Sequence, residues 1–124
     1  MGDIEASTRH SFSTRAIHAG QHPDPTTGAV VTPISLSTTF AQEGVGRHKG
    51  FEYSRSGNPT RSALEAQVAS LEEADHGLAF ASGSATTAVI AELASPGEEI
   101  LVSDDVYGGT YRYFQRVAHE HGVQ

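Results

Sequence analysis

A tyrosine and an arginine two positions apart, just ahead of a predicted helix, have the side chains best suited to chemistry in this chain. Tyr53 and Arg55 precede the turn sequence Gly57-Asn58-Pro59. The Arg guanidinium is a forked, permanently charged donor that matches phosphate oxygens, and the Tyr hydroxyl adds a second donor on the same side if the backbone is extended. The pair indicates anion capture, although the same pattern is typical of the start of a solvated loop.

Two further candidate positions follow predicted strands. Ser82-Gly83-Ser84 opens a helix directly after the apolar run 78–81, and Tyr107 follows the apolar run 100–102. A helix amino terminus at the carboxyl end of a strand offers unpaired N–H groups to a phosphate, and Gly83 lets a ligand approach the backbone. The Tyr107 ring could stack on a planar cofactor. A plain capped helix and a surface tyrosine in a Gly-rich turn are the alternative interpretations. We expect Asp104 and Asp105 to cap the next helix.

These positions depend on a regular pattern that begins near Tyr53. Asn58 as N-cap and Pro59 at the first helical position predict a helix over 59–73. Four elements follow along the chain. They are a buried strand at 78–81, a helix from Ser82 that ends before Ser95, a second buried strand at 100–102 and a helix over 110–120. Gly122 is the predicted terminator of the last helix, and Val123 is placed at the start of another strand.

Strands that alternate with helices predict parallel pairing with right-handed crossovers, so the fold class is α/β with a doubly wound sheet. Residues 1–52 carry many turn formers and little periodicity, and we expect them to form an extended arm that wraps a partner chain. Residues 53–124 then begin the α/β domain. Because two strands are too few for a stable parallel sheet, we expect the sequence to be the amino-terminal part of a longer protein.

Composition excludes several classes of function. The 15 acidic residues outnumber the 8 basic ones, which disfavours nucleic acid and anionic membranes as partners. No cysteine is present, so disulfides and Cys metal sites are impossible. His119 and His121 lie two apart on a predicted helix and point to different sides, so no metal site is predicted. With no membrane span or signal peptide in the sequence, we expect a cytoplasmic protein.

Five ordered blocks of sequence carry a resemblance to a known family: residues 14–20, 33–40, 51–61, 80–83 and 104–110. Together they resemble the amino-terminal part of the pyridoxal phosphate (PLP) enzymes of cysteine and methionine metabolism, the cystathionine γ-synthase-like family. The resemblance implies the aspartate aminotransferase-like fold of PLP-dependent transferases. It also implies a homo-oligomer, a tetramer of dimers with shared sites, that acts on a small sulfur amino acid.

The resemblance also implies roles for individual residues. Tyr53 and Arg55 match the pair that reaches across a dimer interface to the neighbouring subunit's PLP phosphate. Gly83 and Ser84 match the positions whose backbone N–H groups hold that phosphate within a subunit, although position 84 is usually bulky and apolar. Tyr107 matches the tyrosine that stacks on the pyridine ring. The positions implied for substrate contact are Arg55, Tyr107, Arg112 and Glu52.

No catalytic residue is assigned, because PLP chemistry needs a Schiff-base lysine and Lys49 is the single lysine here. Lys49 lies in the Gly-rich arm, and the family's lysine lies far downstream, so this chain alone is predicted to be inactive. The amino-acid sequence of residues 34–40, 51–53 and 112–114 is most similar to that of the γ-lyases. That similarity implies cleavage of L-cystathionine to L-cysteine, 2-oxobutanoate and ammonia. The alternatives are γ-replacement on an activated homoserine, or a non-catalytic phosphate-binding or dimerisation module.

Overall fold

The computed structural model describes residues 10–124, so the first nine residues of the predicted arm lie outside the described part. The chain divides into two compact units, Met1–Ala79 and Phe80–Gln124. In the described part, no helix is long and apolar enough to cross a membrane. The interpretation of residues 1–52 as an arm that wraps a partner stays a prediction.

In the described part of the first unit, the first helix is α1, Phe12–His18, which the sequence pattern did not predict. Ser11 caps this helix, and its side chain accepts a hydrogen bond from the backbone N–H of Thr14 at 3.3 Å. Seven residues are too few to display helical periodicity, and an isolated helix of this length is unstable in water. Contacts with other elements must therefore stabilise α1.

Helix α2, Pro59–Leu71, confirms the helix predicted over 59–73, although it ends two residues earlier. The Asn58 side chain accepts hydrogen bonds from the N–H groups of Thr60 and Arg61 at 2.9 and 3.3 Å, as predicted for the N-cap. After α2 the chain reverses through Glu73, which has a φ of 55°.

Helix α1 packs against α2, and Arg15 of α1, only 9% exposed, contacts the end of α2. Arg15 Nη1 donates to the backbone carbonyl of Ser70, and Nη2 lies 3.4 Å from Glu73 Oε1. Gly20 follows α1 with φ of 72°, and a Cβ there would lie 2.6 Å from the carbonyl oxygen of Ala63. Only glycine permits both this conformation and this approach to α2.

Two side chains of the α2 amino terminus also fix the stretch 33–36. Thr60 Oγ1 accepts from the Ser35 N–H at 2.8 Å and donates to the Pro33 carbonyl at 3.2 Å, and Asn58 Nδ2 donates to the Ser35 carbonyl at 3.2 Å. Ile34 and Leu36 on either side of Ser35 are 80% and 87% exposed. The stretch is therefore held by its polar backbone and presents its apolar side chains outward.

The second unit contains helix α3, Gly83–Ala91, and helix α4, Gly108–Tyr113, which continues as a π-helical turn over Phe114–Ala118. Both predicted helices are confirmed, with two differences. The last helix begins at Gly108 rather than residue 110, and its second half widens into the π turn. Asp104 and Asp105 do not cap it, because Tyr107 occupies the N-cap position without a side-chain bond. The prediction for this pair of aspartates is wrong.

The predicted strands at 78–81 and 100–102 form no strand ladder within the described chain, whose only β-pairings are isolated bridges at Thr39–Tyr53 and Gln42–His48. Their predicted burial is also wrong here, since Leu101 is fully exposed. A parallel strand needs neighbours on both sides and helices on both faces, and these residues have too few neighbours in the chain. However, Gln124 donates to the Glu98 carbonyl at 2.9 Å and accepts from the Ile100 N–H at 2.7 Å, the bonding pattern of parallel strands.

The buried apolar side chains of the described residues are few and mostly small: Ala69, Ala91, Ala118 and Val123. Because hydrophobic stabilisation scales with the apolar area removed from water, such a core contributes little. Polar side-chain contacts with the backbone, such as those of Arg15, Asn58 and Thr60, add to what this small core supplies.

The Arg15 contacts generate a first prediction. Arg15→Met should lower the free energy of unfolding by about 1.5 to 3 kcal/mol, because it removes a charged donor from the part-buried Ser70 carbonyl. Glu73→Gln should cost far less, since the Glu73 side chain is 73% exposed and the ion pair is screened by water. Urea unfolding of the chain, followed by circular dichroism, measures both. Equal losses for the two variants would show that the ion pair, rather than the carbonyl contact, holds α1.

A turn at residues 24–28 generates a second prediction. The backbone N–H of Thr27, then its hydroxyl, and then the N–H of Thr26 donate to Asp24 and hold the pKa of that carboxyl below its ordinary value. The turn is therefore stabilised above the ordinary aspartate pKa, and this stabilisation is lost as the pH falls through the lowered pKa. Thr27→Val should raise the pKa of Asp24 in an NMR titration, whereas Thr26→Val, which keeps its N–H, should not. An equal rise in both variants would contradict the role of the Thr27 hydroxyl.

Candidate cofactor site

The turn that carries Tyr53 and Arg55 is built on a short antiparallel pairing. Phe40 donates to the Glu52 carbonyl at 3.0 Å, and Ser54 donates to the Thr38 carbonyl at 2.8 Å. The chain then turns back, because the N–H groups of Ser56 and Gly57 both donate to the Tyr53 carbonyl, at 3.0 and 2.9 Å. The backbone after Tyr53 is thus a turn. The extended backbone assumed from the sequence would place the side chains of Tyr53 and Arg55 on the same side.

This turn brings the two predicted side chains together. The guanidinium carbon of Arg55 lies 5.1 Å from the centroid of the Tyr53 ring, within the range of a cation–π contact. Arg55 is exposed and forms no ion pair among the described residues. The pair therefore presents a charged donor whose strongest possible partner, an anion, is not supplied by the described chain.

Arg61 is a residue of this site that the sequence analysis missed. Its Nη2 donates to the Ser56 carbonyl at 2.9 Å, and its guanidinium also reaches the Arg55 carbonyl at 3.4 Å. Glu65 Oε1 lies 3.5 Å from Arg61 Nε and accepts from the Ala79 N–H at 3.0 Å. Arg61 thereby fixes the backbone of the turn that carries Arg55. The spacing of Arg61 and Glu65, four residues apart on a predicted helix, was the available signal.

In the second unit, the amino terminus of α3 has free donors. The Ser82 side chain accepts from the Ala85 N–H at 3.2 Å, which satisfies one of the groups that helix geometry leaves unpaired. The N–H groups of Gly83 and Ser84 make no hydrogen bond within the described chain. No atom would lie within 4 Å of a Cβ at Gly83, so the space in front of these donors is open. Two free N–H groups at the positive end of a helix fit a phosphate.

Tyr107 and Arg112 belong to the same unit as α3. Tyr107 immediately precedes α4, and its side chain is 73% exposed. Arg112 is exposed on α4, with Nη1 3.6 Å from the point where a Cβ of Gly108 would lie. Helices α3 and α4 pack together, and the hydroxyls of Thr87 and Thr110 lie 3.5 Å apart. The ring and the free N–H groups are thus carried by helices in contact.

The other sequence-predicted positions are simple surface residues. Glu52 is exposed, and its backbone carbonyl pairs with Phe40. Lys49 is exposed beside the Gln42–His48 bridge and lies in a different unit from α3 and Tyr107. The part of the chain that the structure describes contains no group of three His, Asp or Glu residues arranged to hold a metal ion.

Comparison with known proteins extends these observations. Residues 13–124 match the family described as Cys/Met metabolism PLP-dependent enzyme. The chain is 62% identical over 106 residues to cystathionine beta-lyase of Coxiella burnetii, covering 86% of this chain and 27% of the relative. It is 59% identical over 114 residues to cystathionine gamma-lyase of Bos taurus, covering 91% and 28%. A probable cystathionine gamma-synthase of Herpetosiphon aurantiacus is 54% identical over 114 residues, covering 92% and 36%.

Solved structures agree with the sequence relatives. The chain superposes on metB from Corynebacterium glutamicum with a TM-score of 0.89 and 47% identity, covering 94% of this chain and 31% of that one. Cystathionine gamma-lyase from Lactobacillus plantarum, complexed with L-serine, gives a TM-score of 0.85 and 46% identity, covering 93% and 30%.

The resemblance seen in the sequence blocks is thereby confirmed, and with it the fold class at the level of the PLP-dependent lyases and synthases. The details of the predicted doubly wound sheet stay a prediction. The chain spans about a third of the length of the curated relatives it matches. It belongs to the Cys/Met metabolism family of PLP-dependent enzymes, whose cofactor is pyridoxal phosphate.

Proposed function

We propose that this chain supplies the phosphate and ring contacts for PLP in a carbon–sulfur lyase of trans-sulfuration. The substrate is L-cystathionine, and the products are L-cysteine, 2-oxobutanoate and ammonia. The observation that carries the proposal is the amino terminus of α3, where the N–H groups of Gly83 and Ser84 are free beside open space. Backbone donors at a helix start bind phosphate whatever side chain they carry, so the serine at position 84 is no obstacle.

A second set of phosphate contacts comes from the turn fixed by Arg61. Arg55 carries a full charge on a forked donor, and Tyr53 lies beside it. In the proposed dimer, this pair reaches the phosphate of the neighbouring subunit's cofactor, and α3 binds the phosphate of its own subunit. Each cofactor phosphate would then be bound by neutral backbone N–H groups of α3 from one chain and by the charged Arg55 side chain, with Tyr53, from the other. Such a site is complete only in the oligomer, which we propose to be a homotetramer built from dimers with shared sites.

The remaining residues orient the ring and the substrate. Tyr107 stacks on the cofactor ring, and Arg55, Tyr107, Arg112 and Glu52 form the substrate side of the site. When bound, the cofactor supplies an electron sink that stabilises negative charge developed at the substrate α-carbon. The lysine that such chemistry needs is not assigned within this chain, because Lys49 lies in an exposed loop. The 124 residues alone are therefore expected to be inactive.

Two other activities are close alternatives. The relatives include a β-lyase and a probable γ-synthase as well as γ-lyases, at 54% to 62% identity. The γ-lyase assignment rests on the amino-acid sequence of residues 34–40, 51–53 and 112–114. Two chimeras test which reaction this chain supports. In one, the chain replaces the matching segment of the Bos taurus lyase, and in the other it replaces the matching segment of the Coxiella burnetii enzyme. The products formed from L-cystathionine would distinguish γ-elimination from β-elimination.

The exposed Ile34 and Leu36 also suit a non-catalytic dimerisation module, which is the second candidate function. The intact mass of the native protein separates the two candidates. A mass near 13.1 kDa, that of these residues alone, would favour the module. A mass about three times larger would favour the lyase, since the relatives are about three times longer than the chain.

The third prediction concerns Arg55 and uses the chimera with the Bos taurus lyase. Arg55→Ala should weaken PLP binding about tenfold to a hundredfold, because it removes a charge-assisted contact with the phosphate. Arg47→Ala is the matched control, since Arg47 is an exposed arginine of another turn whose Nη2 donates to the Glu43 carbonyl at 3.2 Å. Reconstitution of the apoprotein with PLP, followed by absorbance, measures the affinity. Equal affinities of the two variants would remove Arg55 from the phosphate site.

The fourth prediction separates the ring of Tyr107 from its hydroxyl. Tyr107→Ala should weaken PLP binding and change the absorbance of the bound cofactor, because it removes the stacking surface. Tyr107→Phe keeps the ring and should leave both properties nearly unchanged. The same reconstitution experiment measures both variants. Equal damage from the two substitutions would assign the role to the hydroxyl instead of the ring.

A further inference from the structure

The side chain of Tyr107 folds back onto the backbone of its own helix at Gly109. A Cβ built on Gly109 would overlap Tyr107 Cε1 and would lie only 3.0 and 3.1 Å from Cδ1 and Cζ. These are ring atoms of the N-cap residue of α4, so a Cβ at Gly109 and this orientation of the ring cannot occupy the same space. The ring occupies the space that any residue other than glycine would fill.

We propose that Gly109 is a positioning residue that sets the orientation of the Tyr107 ring. The inference rests on the proposed function, because it takes Tyr107 as the ring that stacks on PLP. A Cβ at Gly109 would fall within the space of the ring, so glycine at this position admits the observed orientation, and the Tyr107 side chain is 73% exposed. The ring thus lies beside Gly109 while most of the side chain stays open to a ligand. Such preorganisation lowers the entropy lost when a planar ligand binds.

The requirement for glycine at this position is one of space rather than backbone conformation. Gly109 is not among the glycines with positive φ, and it lies in the first turn of α4, where alanine is the better helix former. A substitution to alanine therefore meets no conformational penalty from the backbone. Its effect must come through the ring of Tyr107.

The neighbouring glycine provides a matched control. Gly108 lies in the same helical turn, and a Cβ there would meet only Arg112 Nη1 at 3.6 Å, an ordinary contact distance. Gly108→Ala and Gly109→Ala thus have the same chemistry and nearly the same helix propensity. They differ in whether the added methyl group collides with Tyr107.

The first experiment observes the ring without any cofactor. The full chain and the chimera with the Bos taurus lyase are labelled with meta-fluorotyrosine, and the Tyr107 resonance is assigned from its absence in Tyr107→Phe. Fluorine NMR should show this resonance displaced in Gly109→Ala and unmoved in Gly108→Ala. Equal displacement in both variants, or none in Gly109→Ala, would overturn the inference.

The second experiment measures PLP affinity in the chimera by a double-mutant cycle. Gly109→Ala should weaken binding about two- to tenfold, the range expected for loss of an aromatic contact, whereas Gly108→Ala should not. In the Tyr107→Ala background, Gly109→Ala should add no further loss, because no ring remains to be displaced. An undiminished loss in that background would indicate a general defect of α4 and would overturn the inference. The double variant also shows whether any misfolding of Gly109→Ala arises from the collision, since removing the ring then restores folding.

Failure of the inference and failure of the proposed function give different results. If Tyr107→Ala weakens binding and Gly109→Ala does not, the positioning role is wrong and the stacking role stands. If Tyr107→Ala leaves the affinity unchanged, the stacking role is wrong. The fluorine resonance then still decides whether Gly109 sets the ring.

Discussion

The amino-terminal turn of α2 is the feature on which the first unit depends. Asn58 caps the helix with its carbonyl oxygen and holds the Ser35 carbonyl with its amide. Thr60 binds the same extended stretch from its other side, and Arg61 binds the turn that carries Arg55. Backbone groups left without partners are costly to bury, so satisfying them fixes where each segment runs. One helix start thereby organises two loops with little apolar core to assist it.

This arrangement explains why the candidate phosphate ligands lie on irregular backbone and are nonetheless defined. Arg55 follows a bridge to Thr39 and precedes the carbonyl of Ser56, which Arg61 holds. The Arg55 side chain is exposed to solvent, because none of these backbone contacts involves the Arg55 guanidinium. The contrast with Arg15 is instructive, since that buried arginine directs its donors inward to the end of α2. The two arginines thus differ in that Arg15 donates to a backbone carbonyl of the described chain and Arg55 does not.

The second unit also has a small apolar core, and several of its apolar residues are exposed. Its buried apolar residues are Ala91, Ala118 and Val123, while Leu101 and Val102 stay exposed. A continuous apolar run that is exposed usually indicates a surface that another element covers. The proposed lyase would cover these faces with further strands and with a second subunit. Its site would likewise be assembled from parts on separate elements, with the free N–H groups on α3 and the aromatic ring on α4.

Local signals in the sequence predicted three helices that the structure has at 59–71, 83–91 and 108–113 with somewhat different bounds, the cap at Asn58, and the family. A cap or a helical repeat is written within a few neighbouring residues, so it can be predicted without the fold. The docking of α1 through Arg15, the reach of Arg61 to the turn and the exposure of the predicted strands were decided by the tertiary structure. Each of these depends on which distant segments approach, and sequence spacing does not encode that. The orientation of the Tyr107 ring over Gly109 is likewise a matter of space, which a tyrosine followed by two glycines permits but does not specify.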